Sequence, residues 1–306
     1  MRVFAPGKLV LCGAYAVLEG HPALACAVSS GVIAEGTADA TTYEEIRAAN
    51  VTPAQLDVSA LYHRDDSGDR KLGLGASAAA LVATLALRAA ERGEDVSSAP
   101  VRGELFDRAF AAHAKAQSGG SGVDIAASVY GGAIAYTMGE PVRALTLPKD
   151  IVLRAYFCGA SASTPSMRAR VLAFRARDAK SYGAVIETLA HASARATAAC
   201  EAGDAVQFVS ACRATLIALG HLGEGADVAI VTPEVARADA MLRAEEAVFF
   251  PAGAGGGDCA VYVGLEAPSA QFERELSERG MVPLPLTVDD AGVRALHLSA
   301  AGSSRN

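Results

Sequence analysis

Three glycine-bearing stretches, far apart in the chain, hold the residues best suited to chemistry. They are Ala5-Pro6-Gly7-Lys8-Leu9, Gly73-Leu74-Gly75-Ala76-Ser77-Ala78-Ala79 and Gly253-Ala254-Gly255-Gly256-Gly257-Asp258. In the second, Gly73 and Gly75 carry no Cβ, so the backbone can approach an anion closely. A helix expected from Ala76 presents unpaired N–H groups and the positive end of its dipole. A polyphosphate can sit there without many lysines. Ser77, in the first turn, fits two roles: its oxygen meets Mg²⁺ or a phosphate, or it caps the helix. The spacing Gly-x-x-x-x-Gly-Lys-Ser/Thr is absent, so this is not a P-loop.

Lys8 follows a Pro-Gly turn and precedes an apolar run. It reads either as a solvated surface charge or as a cation at a cleft mouth, where it would neutralise a transferring phosphoryl group. Asp124 follows Gly119-Gly120-Ser121-Gly122 at an expected helix start. It is either an N-cap or a group that accepts or orients the proton of an attacking oxygen. The third stretch has four glycines in five positions, more than a tight turn needs. That density fits a loop pressed against a ligand or against another backbone. Ser161-Ala162-Ser163-Thr164-Pro165, followed by Arg168 and Arg170, suits an anion pocket or a capped, solvated helix. His113 is expected to pack or hydrogen-bond within its helix, with no metal-ligand partner nearby.

Elements must hold these residues in place. Apolar runs at 9–12 and 24–28 read as short buried strands. Residues 41–71 read as a polar surface stretch. Helices are expected over 76–92, closed by Gly93, over 101–117 and from Asp124 to residue 129, with a strand at 133–137. Pro141 and Pro148 break a connector, and a new unit begins with a strand at 151–158. Helices at 165–177, 180–202, 205–222, 233–244 and 269–278 follow. Strands at 247–250, 259–263, 281–285 and 293–298 make this half α+β, with residues 300–306 a frayed tail.

The 306 residues allow two domains, and 51% hydrophobic content supplies ample core. Charged residues are 20% and scattered, which argues against disorder. A net charge of -7 argues against a nucleic-acid partner but allows a phosphorylated small molecule held by local cations and backbone amides. No apolar run is expected to reach bilayer-spanning length, and no secretory leader is evident. The six cysteines, Cys12, Cys26, Cys158, Cys200, Cys212 and Cys259, are spread out in apolar company and read as reduced, buried thiols. A cytoplasmic protein, monomer or homodimer, with no membrane partner, is the expectation.

In order and in residue type the three stretches resemble the motifs of the GHMP small-molecule kinases, over nearly the whole chain. The resemblance implies an α+β, two-domain fold. An amino-terminal ATP-binding domain like the second domain of ribosomal protein S5 would span 1–148, and a ferredoxin-like carboxyl-terminal domain 149–306. Ala116-Gln117, then Gly120-Ser121-Gly122-Val123-Asp124-Ile125-Ala126-Ala127, is similar to the family branch whose acceptor already carries a phosphate. So are Gly256-Gly257-Asp258-Cys259 and the stretch 160–164. An alcohol-phosphorylating member, such as a sugar kinase, or a degenerate non-catalytic relative are the alternatives. The resemblance implies ATP and Mg²⁺, with Lys8 stabilising the transition state and Asp124 beside the nucleophile. Gly73, Leu74, Gly75, Ala76, Ser77 and Ala78 would cradle the nucleotide, Ser77 also meeting the metal. Tyr15, Gln117, Ser121, Gly122, Ser161, Ser163 and Thr164 would line the substrate side. Gly253, Ala254, Gly255, Gly256, Gly257 and Asp258 would close over both ligands. The sequence departs from the family in three ways. Gly13-Ala14-Tyr15 lacks the family's usual glutamate at 14, residue 76 is Ala where many relatives have Ser, and the first two motifs are closely spaced.

Overall fold

The computed structural model describes residues 1–65, 68–117, 119–159, 164–243 and 246–296, apart from the side chains of 164 and 165. The chain opens with two long antiparallel strands, β1 (Arg2–Cys12) and β2 (Ala23–Glu35). Both exceed the apolar runs that announce them: the ladder carries β1 through Gly7 and Lys8, while Ser29 and Ser30 of β2 bulge out of it and the Ser29 N–H donates to the Thr287 carbonyl at 2.8 Å. The pairing shifts register between Pro6 and Gly7. A bulge is where a residue without an N–H is tolerated, and it re-aims the side chains that follow, here Lys8.

The stretch 41–71 is not the plain surface loop expected from its polarity. It forms α1 (Glu44–Ala48), β3 (Gln55–Asp57) on the edge of β2, and a hairpin of β4 (Tyr62–Asp65) and β5 (Gly68–Lys71). Two buried anchors, Ile46 and Leu61, hold it to the core. Arg70 of the hairpin donates to the Gly159 carbonyl and stacks over Phe157, 5.1 Å from the ring centre.

α2 (Ala76–Glu91) is alanine- and leucine-rich and almost wholly buried against β1 and β2. Small side chains allow that close approach, and alanine and leucine favour the helix intrinsically. α3 (Ala99–Ala116) starts with a proline in its first turn, where a missing N–H costs nothing. α4 (Val123–Tyr130), β6 (Ala133–Tyr136) and β7 (Arg143–Leu145) follow.

The rest of the chain runs β8 (Val152–Phe157), α5 (Thr164–Arg177), α6 (Ala179–Ala202), α7 (Ala205–Ala226), α8 (Pro233–Asp239), β9 (Ala247–Pro251), β10 (Cys259–Gly264), α9 (Ala270–Glu278), β11 (Val282–Leu284) and β12 (Arg294–Leu296). α6, α7 and α9 each open on an Asp or Ser whose side chain accepts an N–H from the first turn. α8 stops five residues short of the expected 244. The Asp239 carboxylate accepts the Phe249 N–H at 2.8 Å and pairs with Arg213, which turns the chain into β9.

Two antiparallel sheets result, ordered β12-β1-β2-β6-β7 with β3 on β2, and β11-β8-β10-β9. The first therefore takes a strand from the far end of the expected 149–306 unit. The buried Asp289 carboxylate explains that return. It accepts the Gly292 N–H at 2.9 Å and both oxygens pair with Arg294, while the Asp289 backbone bonds to Ala27 and Gly132. One apolar cluster runs from Leu11 and Cys12 of the first sheet through Phe208 and Cys212 of α7 to Phe250 and Val261 of the second.

All six cysteines are free thiols, with Cys158 half-buried and the others buried. One expectation is corrected: α7 is long and apolar enough, by length and composition, to cross a membrane. Half of its most apolar window is buried inside the protein, as in a core helix.

Candidate active site

The part of β1 that follows its register shift, the turn before α2, the start of α4 and the loop between β9 and β10 meet at Lys8. Its backbone N–H donates to the Leu74 carbonyl at 2.9 Å, which pins the first glycine motif to the second. Its Nζ donates to the Gly73 carbonyl at 3.1 Å and lies 3.8 Å from Asp124 Oδ1. A Cβ on Gly253 would stand 3.6 Å from the same Nζ, so the third motif faces the lysine too. Lys8 is buried while the Asp124 side chain keeps 32% of its exposure, so the pair opens to solvent on the carboxylate side.

Glycine is required where these segments crowd. Gly75 is the N-cap of α2 in the left-handed region, with φ 80°, and its missing Cβ would lie 3.2 Å from Lys8 Cγ and 3.6 Å from Asp124 Oδ2. Neither α2 nor α4 has a side-chain cap. The first N–H groups of α2 are therefore free of intrahelical and side-chain capping partners, and the positive end of its dipole lies at Gly75. Asp124 is thus not the N-cap of α4. Gly122 takes that place at φ 79°, and the aspartate sits in the first turn.

The third motif divides its glycines between two tasks. Gly253 faces Lys8 and donates its N–H to Val10. Gly255 and Gly256 press on the backbone of Ile230: a Cβ at 255 would come within 2.3 Å of that carbonyl, which also accepts the Gly256 N–H at 3.0 Å. Asp258 packs on Gly73, where a Cβ would be 2.6 Å from the aspartate's own.

Tyr15 ties the first motif to the third. It occupies a γ-turn, with φ 65° and the Ala16 N–H donating to the Ala14 carbonyl at 2.8 Å, a strained conformation for a non-glycine residue. Its hydroxyl donates to the Ala254 carbonyl at 2.6 Å. Burial pushes the phenol well above its ordinary pKa, so it stays a neutral donor. Tyr15→Phe is expected to cost about 1 kcal/mol, the usual worth of such a bond. That lowers Tm by about 2–4 °C in a thermal melt, and the KM for the substrates should rise because the loop loses one of its tethers.

Other expected residues are placed differently. Leu74 and Ala78 face the core, so the second motif offers a ligand backbone at these positions. Ser121 Oγ accepts the Val123 N–H at 3.4 Å and its carbonyl accepts the Tyr136 hydroxyl, both local supports for α4. Gln117 donates its amide to Glu45 Oε1 at 2.9 Å. Ser161 and Ser163 lie outside the described residues, as does the side chain of Thr164, the first residue of α5. Arg168 donates to the Gly119 carbonyl beside α4, whereas Arg170 pairs with exposed Asp227 at 3.5 Å. The missing acid at Ala14 is not replaced by Glu19, which is committed to Tyr182 at 2.9 Å and Arg175 at 2.8 Å.

Glu45 is the residue that sequence reasoning missed. It is buried, at 6% exposure, beside Ser77. Burial alone would raise its carboxyl pKa. Hydrogen bonds from Ser77, Gln117 and its own amide, with the field of His113, outweigh that and hold it below the usual carboxylate range. Thr41 and Thr42, each three residues ahead of a glutamate, were the available signal, a capping-box spacing that marks a helix start within the polar stretch.

A phosphomevalonate kinase of Streptomyces sp. (strain CL190) is 32% identical over 272 residues, 79% of this chain and 70% of that protein. The chain belongs to the GHMP kinase superfamily. GHMP kinase architecture is also plain in the solved structures that share this fold. A Lin0012 protein from Listeria innocua superimposes with a TM-score of 0.78 at 23% identity, covering 96% of this chain and 98% of its own. The Streptococcus pneumoniae phosphomevalonate kinase in complex with phosphomevalonate and AMPPNP gives 0.74 at 18% identity, covering 94% and 99%. No family model matches the chain. Membership makes the protein a small-molecule phosphotransferase.

Proposed function

We propose that this GHMP kinase transfers the γ-phosphoryl group of ATP to phosphomevalonate, giving diphosphomevalonate and ADP. The observation that carries the reading is the Lys8–Asp124 pair, 3.8 Å apart, set against the Gly73–Gly75 turn at the uncapped start of α2. The Streptomyces relative's name and the pneumococcal complex with phosphomevalonate and AMPPNP support the choice of substrates. Residues 1–148 would supply the nucleotide bed, and 149–306 the Gly253–Asp258 loop that covers it.

In this reading the polyphosphate lies on the N–H groups that open α2, where the helix dipole and Lys8 offset its charge. The nucleophile is an oxygen of the acceptor phosphate, already largely ionised, so no strong base is needed. Asp124 then orients the acceptor through Lys8 and through any proton the phosphate retains. As the new P–O bond forms and the bond to ADP breaks, Lys8 neutralises charge on the equatorial oxygens. Mg²⁺, bound with the nucleotide, would neutralise its β- and γ-phosphates, with Ser77 as a hydroxyl ligand. The Ser77 hydroxyl is a hard oxygen donor of the kind that ion takes, while the free backbone amides serve the phosphates.

ADP release measured in parallel on phosphomevalonate, mevalonate and galactose tests this. Turnover is expected with phosphomevalonate alone. Turnover on mevalonate or galactose instead would move the substrate to an alcohol. ATP binding without turnover on any of them would mean that the buried Ala14, standing where the superfamily usually has a glutamate, marks a non-catalytic member.

A further inference from the structure

We propose that Arg70 is a positioning residue for the nucleotide: its guanidinium latches the β4–β5 hairpin onto the end of β8 and so sets the turn, Gly73 to Gly75, that receives the phosphates. The inference rests on the kinase reading and adds a residue to it. It starts from a hairpin that lacks a sheet of its own. Among the described residues β4 and β5 pair only with each other, and two strands alone are marginal in water. Something outside must hold the hairpin, because β5 ends at Lys71 and feeds directly into Gly73.

One face of the hairpin supplies the hold. His63 and Arg70 are directly opposed across the pair, so both side chains leave the same face. Both meet Phe157, the fully buried last residue of β8. The His63 ring lies 4.9 Å from the phenyl ring, and the Arg70 guanidinium 5.1 Å from its centre. One amino group of Arg70 donates to the Gly159 carbonyl and the other to the Asp65 carboxylate, a charge-assisted bond. Asp65 also stands 3.6 Å from His63 Nε2.

The same contacts close a circuit through the site. Cys158, between Phe157 and Gly159, donates its N–H to the Asp258 carbonyl at 3.0 Å. Asp258 packs on Gly73, whose carbonyl accepts Lys8 Nζ at 3.1 Å. From Gly73 the chain runs back through Leu72, buried and bonded to the Leu61 carbonyl at 3.1 Å, to Lys71 and Arg70. The second and third glycine motifs are thus joined twice, directly at Gly73 and Asp258 and indirectly through Arg70 and β8. Losing the indirect link lets the hairpin, and the turn it feeds, drift from the lysine. A guanidinium suits the task because it stacks on a ring and reaches two acceptors at once, which an ammonium does not.

Steady-state kinetics with varied ATP, calorimetric titration with AMPPNP and thermal melts of full-length variants test this. Arg70→Met keeps the stem on Phe157 and removes the fork. It should raise the KM for ATP and weaken AMPPNP binding about 10-fold, the scale of one hydrogen bond to a charged group. Its kcat should stay within about threefold of wild type, because the bond serves ground state and transition state alike. Amide hydrogen exchange over residues 72–76 should quicken in the same variant. Arg70→Lys, which keeps the charge, should recover only part of the loss. Arg64→Met is the control: Arg64 lies exposed on the same hairpin and pairs with Asp69 across it, and its variant should bind and turn over like wild type. Unchanged ATP KM and AMPPNP affinity in Arg70→Met overturn the inference and spare the kinase reading. So does a fall in kcat at constant KM, which would put Arg70 among the reacting groups. Full recovery by Arg70→Lys would reduce the fork to a charge, and an Arg64→Met variant that copies the defect would reduce it to the hairpin's own stability; either overturns the latch. Wild-type protein that binds AMPPNP but phosphorylates no acceptor removes the kinase reading alone, since the affinity comparison still reads the latch. Wild-type protein that binds no nucleotide removes both.

Discussion

Lys8→Met is expected to lower kcat about 10³-fold, the upper range for losing one preorganised group that faces developing charge. The side chain has three roles at once: Nζ bonds the Gly73 carbonyl, faces Asp124 at 3.8 Å, and sits under Gly253. Methionine keeps most of the stem, so the buried contacts along β1 survive. Asp124 retains 32% of its side-chain exposure and stays hydrated when its partner is removed. The stability change should therefore stay within about 1 kcal/mol, as for a part-exposed pair. Asp124→Asn should cost less, about 10²-fold, because in the proposed transfer an ionised acceptor phosphate needs orienting more than deprotonating. The double variant should lose less than the product of the two, since residues that act as a unit are not additive. A kcat for Lys8→Met within tenfold of wild type, with an unchanged melt, would remove the mechanism.

How much of this could be read from the chain alone depends on range. Local features were legible. The glycines at 73 and 75 lead into a helix from Ala76, the alanine run makes α2, and Gly93 follows its end. Each of these follows from a few neighbouring residues. Elements decided by distant partners were not legible. β1 and β2 run through polar residues because each is the other's ladder, and β12 leaves its neighbours because Asp289 fastens the chain to Ala27 and Gly132. At the site, the residue types of Lys8, Ser77 and Asp124 suggested chemistry, but glycine density was ambiguous. Gly253 faces the lysine, whereas Gly255 is pressed against the Ile230 backbone. Glu45 was invisible for a related reason. Nothing in a polar stretch says which of two adjacent glutamates a later helix will bury.

Gly75→Ala tests whether the second motif is a bed for a ligand or merely a turn. At φ 80° an L-residue costs about 1–2 kcal/mol wherever it stands. The added Cβ would also come 3.2 Å from Lys8 Cγ and 3.3 Å from Cε, so the flexible lysine must yield. A displacement of that kind near reacting groups can cost about 10²-fold in kcat/KM. Gly93, just past the other end of α2, provides the control. It has φ 85°, and nothing lies within 4 Å of its missing Cβ. Gly93→Ala should share the backbone strain, and hence a comparable fall in Tm, while leaving kcat/KM near wild type. The two variants thus separate stability from function at opposite ends of one helix. If Gly75→Ala lowers Tm like Gly93→Ala but turns over normally, Lys8 has moved without consequence, and the phosphates do not lie where the helix begins.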